Sequence, residues 1–237
     1  MPLNISGSVV NSGIARTLNY KSIVTRGLVF QADAGAPDSY PETGTSWTDI
    51  SGNNVVTTLT NGPTFSSDTG GYFSFDGTND YSINTSFTAF QTTTGTIMGW
   101  AYPTTTSGDN YLMSVGGTTT YGASRAITNY LGIWRAIGYG SATEDYTIAS
   151  IILNTWQHVV YAWSGTTINA YINGTLYTDT RSGLVTPQGS SLDIGKPSWT
   201  NSAYFTGRIA NAQVYNRTLS TAEVVQNYNA QKSRFGL

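Results

Sequence analysis

The sequence predicts an all-β sandwich closed by a short C-terminal helix, and three observations carry that prediction. In residues 154–177, NTWQHVVYAWSGTTINAYINGTLY, apolar and aromatic residues alternate through Val159, Tyr161 and Trp163, and again through Ile168, Ala170 and Ile172. A period of two marks strands with one face turned to a core. Turn chemistry separates the runs: Ser164-Gly165-Thr166-Thr167 suits a short hairpin, and Asn173-Gly174 tolerates the positive φ of a type I′ turn. Three antiparallel strands therefore follow one another as a meander. At the far end, Ser220-Thr221-Ala222-Glu223 is a capping box with Leu219 and Val224 placed as its hydrophobic staple. It predicts a helix over about 221–228 that packs Val224, Val225 and Tyr228 on the sandwich.

Length and composition bound the rest. A chain of 237 residues suits one such domain, and burial of roughly 70% of its unfolded surface gives it a core that needs no staple. Cysteine is absent, which excludes a disulfide framework and any thiolate metal site. With one histidine and no cysteine, no zinc cluster can be assembled. Only 10% of residues are charged and the net charge is −2. Nucleic acid and anionic membrane are held by dense Lys/Arg patches, so neither is expected as a partner. The opening MPLNISGSVV has no basic leader or long apolar run, and no stretch reaches the ~18 apolar residues of a membrane helix, so synthesis in a cytoplasm is expected.

Taken in order, residues 1–26 alternate weakly and carry Arg16, Lys21 and Arg26 with no acidic residue. They read either as an arm that adds a strand to a neighbouring sheet edge or as an extra strand of their own sandwich. Residues 27–32 form a continuous apolar strand, followed by a loop bearing Pro and Gly. Trp47-Thr48-Asp49-Ile50-Ser51-Gly52-Asn53 spaces its oxygen-bearing side chains as the start of a calcium loop does, but lacks the glycine and the bidentate Glu that complete one. It is an Asx-turn capped by Asp49 or Asn53, or a structural calcium site. Phe73, Phe75 and Tyr81 flank the polar turn 76–80, strand 97–102 buries Trp100, and 111–115 follows. Short strands are expected at 126–130 and 132–139, then at 192–195, and 205–215 should return beside the first strand.

A resemblance spans these blocks. Trp156, His158-Val159-Val160 and the strand ending in Ile172-Asn173-Gly174 occur in order with GLVFQADAG, WTDISGNN, FSFDGTNDY, TIMGWAYP, LDIGKPS and GRIANAQVYNRTLSTAEV. Together, over roughly 27–230, they resemble the laminin-G-like jelly rolls of the concanavalin A-like lectin and glucanase superfamily, and in particular those of tailed, marine or cyanophage virions. The resemblance implies a two-sheet antiparallel jelly-roll sandwich over 27–237, with 1–26 as an attachment arm. It implies a virion structural protein, a head decoration, knob or fibre subunit at the virion surface, held by other virion proteins through 1–26 and open to homo-oligomerisation. It also implies possible recognition of a host surface glycan. The alternative is a bacterial carbohydrate-binding module or adhesin domain outside any virion.

Site residues follow from the same resemblance, since the middle strands and their loops form the concave face in this superfamily. The loose, aromatic and basic stretch 116–146 is therefore the first place to seek a ligand, with Tyr121, Arg125, Tyr130, Trp134 and Tyr139 as glycan candidates and Trp199 and Tyr204 beside them. Structural calcium, if used, would draw on Asp33, Asp49, Asn53, Asp76 and Asp80. The family segment after Gly-x-Ile usually carries an acidic pair, and here reads Ala210-Asn211. No cofactor is required. Catalysis is not expected: glycosidases need two placed carboxylates, which related glucanases set as Glu-x-Asp-x-x-Glu, and this chain has only Glu42, Glu144 and Glu223. Glu223 is used by the cap, Glu144 and Asp145 point to opposite faces of a strand, and His158 sits on a core strand as a structural residue.

Overall fold

The computed structural model describes residues 22–117, 123–139, 143–180 and 186–237, with the backbone alone at 139, 143 and 144. The expected meander is present as β12 (Gln157–Ser164), β13 (Thr167–Ile172) and β14 (Thr175–Thr180). Its second turn has φ of 52° at Asn173 and 81° at Gly174, the left-handed pair that a type I′ hairpin needs. The remaining strands are β1 (Leu28–Asp33), β2 (Ser46–Thr48), β3 (Val56–Thr60), β4 (Thr64–Ser66), β5 (Tyr72–Asp76), β6 (Tyr81–Asn84), β7 (Thr94–Pro103), β8 (Asp109–Gly116), β9 (Ser124–Tyr130), β10 (Ile133–Tyr139), β11 (Thr143–Ser150), β15 (Ser191–Ile194) and β16 (Thr206–Tyr215).

Two antiparallel sheets result. The first runs β14-β13-β12-β7-β16-β5-β4, with β1 also on β16, and the second runs β11-β10-β9-β8-β15-β6-β3-β2. Strand β16 does return beside the first strand: its first half pairs with β5 (Ile209 opposite Phe73) and its second half with β1 (Asn211 opposite Asp33), while β7 lies along its other edge.

Between the sheets Phe30, Trp47, Phe73, Ile97, Leu112, Ile127, Trp134, Val159, Tyr161, Trp163, Ile209 and Val214 form one continuous core. Trp163 faces inward as its alternation requires, and the ring occupies the space in front of Gly95 on the paired strand, where a Cβ would lie 2.2 Å from Cζ2. Two expected surface residues are in this core instead. Trp134 is fully buried and its Nε1 donates to Gln157 Oε1 at 3.0 Å. Arg125 is 1% exposed, with its guanidinium 5.6 Å from the Trp163 ring centre and Nη1 donating to the Ser124 carbonyl. The reason is the phase of the strands: Ile127 and Ala136 face the core, so the positions two away do too.

The outer face of the first sheet is covered by α1 (Thr221–Gln231), whose capping box has both reciprocal bonds and which runs a turn beyond the expected end. Leu219 and Val224 are buried in one cluster with Met98, Val160 and Tyr171. A 3-10 turn, Lys232–Phe235, continues the helix, and Phe235 stacks on Trp100 at 4.1 Å and meets Trp156 at 4.8 Å. Arg234 clamps this end, its Nη1 donating to both carboxylate oxygens of Asp33 at 2.8 Å. The last residues assigned to the arm, 22–26, also belong to the domain. Val24 is buried, its N–H donates to Asn227 Oδ1 at 2.8 Å, and its carbonyl accepts from Tyr215 Oη at 2.8 Å. The sequence hid this because five residues show no period by themselves.

His158 is 1% exposed and lies tilted against Trp100, with ring centres 5.2 Å apart. Burial penalises the charged ring and lowers its pKa from 6.5 to about 3. The unfolded chain thus takes up this proton below pH 6.5 while the folded chain refuses it, so stability is complete above pH 6.5 and falls as the pH drops. At pH 5 the loss should be about 2 kcal/mol, or roughly 4–8 °C in Tm. Melting between pH 8 and pH 5 should show that decline in the wild type, and His158→Phe should flatten it; equal slopes would place the titration elsewhere. Separately, Trp163→Ala and Trp134→Ala should each cost about 3–5 kcal/mol. Wild-type melting of the Trp134 variant would show that its ring is not part of the core.

Candidate functional site

Among the described residues the outer face of the second sheet carries no helix, and its side chains are set by hairpin arithmetic. Leu131 and Gly132, with φ of 50° and 80°, make a two-residue turn that pairs Tyr130 with Ile133 and Thr128 with Arg135. On β8, Asp109 stands opposite Tyr130 and Tyr111 opposite Thr128, while Asp145 stands opposite Ile137. Tyr130, Thr128, Arg135, Asp109 and Tyr111 thus meet on one face, reached by Asp145 from the edge strand.

Their contacts are specific. The Arg135 guanidinium lies 4.5 Å from the Tyr130 ring centre and pairs with Asp145 Oδ2. Thr128 Oγ1 donates to Asp109 Oδ1. Burial pushes the Asp109 carboxyl above its ordinary value, against the bonds from Thr128 and Tyr111 and in line with repulsion from Asp145. Asp145 thus pairs with the guanidinium, and Asp109, bonded to Thr128, lies within the electrostatic reach of both, next to a tyrosine that is 37% exposed. Such a group can offer a sugar an aromatic face together with hydroxyl-binding acceptors.

A loop after β15 lies across the middle of the same face. Ser198 N donates to Ser114 Oγ at 3.0 Å, and Trp199 sits edge-on to Tyr111 with ring centres 5.4 Å apart. Farther along, Tyr204 and Tyr81 are 6.3 Å apart. Lys196 is 4.8 Å from the Tyr81 ring centre and 2.9 Å from Asp193 Oδ1.

Of the seven glycan candidates, the fold brings Tyr130, Trp199 and Tyr204 to this face, and Arg125 and Trp134 to the core. Tyr121 and the side chain of Tyr139 lie outside the described residues. Asp109, Tyr111, Thr128 and Asp145 were missed as site residues. The signal that finds them is the two-residue turn, which puts the partners of Tyr130 and Arg135 in phase with those two residues.

The five calcium candidates do not gather. Asp33 is held by Arg234. Asp49 accepts from the amides of Gln31, Ser51 and Asn53 and from Ser51 Oγ, all at 2.8–2.9 Å, so both oxygens are occupied in an Asx-turn. The Asn53 amide donates to Ser51 Oγ. Asp76 accepts from the Thr78 and Asn79 amides, and Asp80 from the Asp76 amide. Among the described residues no three His, Cys, Asp or Glu side chains stand together as metal ligands. The residues present therefore do not fit a calcium ion at these places.

The sandwich, the antiparallel order of its strands and the open second sheet define a lectin-like jelly roll. Residues 75–225, well over half of the chain, match a laminin G family model of the concanavalin A-like lectin/glucanases superfamily, and the protein belongs to that family. No curated protein matches the sequence significantly. Among solved structures, Trypanosoma rangeli sialidase in complex with sialic acid is similar over 90% of this chain and 34% of its own, with 18% identity and a TM-score of 0.67. The receptor binding domain of botulinum neurotoxin C/D mosaic serotype is similar over 88% of this chain and 52% of its own, with 12% identity and a TM-score of 0.69. The binding domain of botulinum neurotoxin DC in complex with SialylT gives 12% and 0.68 over the same shares. The chain spans about a third of the sialidase and half of the toxin domains, and these likenesses concern the fold alone.

Because the calcium candidates are occupied by protein donors, chelation should leave the domain intact. Melting with calcium and with EDTA should agree; a fall of more than about 10 °C on chelation would mean a metal linkage of several kcal/mol.

Proposed function

We propose that this protein is a non-enzymatic glycan-binding domain displayed on a tailed-phage virion, and that the outer face of its second sheet receives the sugar. The observation that carries the binding reading is the exposed Tyr130 ring beside the Asp109, Thr128, Arg135 and Asp145 polar group, with Trp199 across the same face. Arg135 is already paired with Asp145, so this face suits neutral sugars. Binding without catalysis is favoured because Asp109 and Asp145 are engaged by Thr128 and Arg135, and because buried His158 is held neutral. The neighbours solved with sialic acid and with SialylT add analogy of fold. The virion setting rests on the sequence resemblance, with attachment through residues 1–21, ahead of the docked segment 22–26.

A glycan array followed by calorimetry on the full chain tests the binding. Tyr130→Ala should weaken the best neutral glycan about 3- to 10-fold, the equivalent of roughly 0.5–1.5 kcal/mol for one aromatic contact, at unchanged Tm. Equal affinity in wild type and variant, or no neutral glycan bound at millimolar concentration, would overturn the reading. For the setting, a chain starting at Ser22 should melt like the full chain yet fail to rebind particles that lack the protein; wild-type occupancy would refute attachment through 1–21.

A further inference from the structure

The other sheet carries a second polar group on its outer face, beyond the stack of Trp100 and Phe235. On β16, Arg208 stands opposite Tyr102 of β7 and opposite Ser74 of β5. Its guanidinium carbon is 4.7 Å from the Tyr102 ring centre and 4.9 Å from that of Tyr72, the diagonal neighbour on β5. Both rings are fixed in turn by Trp156, at 5.5 and 5.7 Å, and Trp156 is held by Phe235. The cation is therefore held between two tyrosines whose own positions are set by a packed aromatic cluster.

Its hydrogen-bonding edge is different. Arg135, Arg217 and Arg234 are each paired with a carboxylate, of Asp145, Glu223 and Asp33 respectively. Among the described residues the Arg208 guanidinium makes no hydrogen bond or ion pair. Asp76, the carboxylate two residues beyond Ser74 on β5, turns into its own loop to accept from Thr78 and Asn79. A guanidinium with aromatic faces keeps its N–H fork in the plane between them, and that fork matches a carboxylate bidentately.

We propose that Arg208, between Tyr72 and Tyr102, binds the carboxylate of an acidic sugar of the uronic or sialic acid type. That the carboxylate belongs to a sugar rests on the glycan-binding reading above; the grip on the carboxylate rests on Arg208 alone. The site is separate from the Tyr130 face, since the two lie on opposite outer faces of the sandwich.

Titration of the full chain with glucuronate, N-acetylneuraminate, glucose and acetate, followed by calorimetry and tryptophan fluorescence, tests it. Both acidic sugars should bind saturably and change the tryptophan emission in the wild type and in Tyr130→Ala, and glucose should leave the emission of Tyr130→Ala unaltered. Arg208→Gln should weaken acidic-sugar binding about 10-fold or more, and Arg208→Lys nearly as much, because an ammonium keeps the charge but not the fork. Tyr130→Ala should leave it unchanged, so that loss of neutral-glycan binding with acidic-sugar binding retained counts against the other site only. Unaltered affinity in Arg208→Gln, wild-type binding by a folded Arg208→Lys, or no saturable binding of either acid would overturn the proposal. Acetate binding as tightly as the sugars would overturn the sugar class.

Discussion

The structure depends on the insertion of β16 into the middle of the first sheet. This strand has β7 along one edge and β5 and β1 along the other, so the sheet is joined only when residues near both ends of the described chain have met. Asn211 pairs with Asp33, and Arg234 and Asn227 add bonds to Asp33 and Val24. Contacts of such sequence separation cost loop-closure entropy before they return any stability, which makes slow, late closure the expected folding behaviour. The C-terminal helix and the segment 22–26 then lie over the same strand, and Phe235 is buried in an aromatic cluster.

That arrangement makes the two outer faces unequal. On the first sheet, the helix and the 3-10 turn cover Met98, Trp100 and Val160 and leave the Arg208 end beyond them. Among the described residues the second sheet is crossed by the loop bearing Trp199, and Tyr130, Arg135 and Asp145 beside it stay exposed or partly exposed. A chain with 10% charged residues places several of them in definite pairs: Asp33 with Arg234, Arg135 with Asp145, Asp193 with Lys196, and Arg217 with Glu223. Pairs as exposed as Arg135 and Asp145 stabilise little. Their larger effect here is to fix side chains around the faces where recognition is proposed.

Much of this was legible before any coordinates. The meander, the hairpin glycines, the capping box and the inward Trp163 follow from period and turn chemistry, because each depends on residues within a few positions of one another. Trp134 shows where that reading slipped. Its company of Tyr and Arg suggests a surface position, whereas the phase of β10, set by the two-residue turn at Leu131 and Gly132, puts it opposite Asn129 and facing inward. Arg125 was misplaced for a related reason: an Arg 1% exposed beside Trp163 is rare enough that composition argues against it.

The sequence by itself determined the sandwich, its helix and the family, since alternation, caps and ordered motif blocks are local properties of the chain. Only the tertiary structure decided which aromatic residues are surface and which are core, that Asp49 spends its oxygens on an Asx-turn, that Val24 belongs to the domain, and that Arg208 lies between Tyr72 and Tyr102. Each of these depends on strands far apart in sequence being brought side by side in one register, and a one-residue slip in that register would turn every side chain to the opposite face.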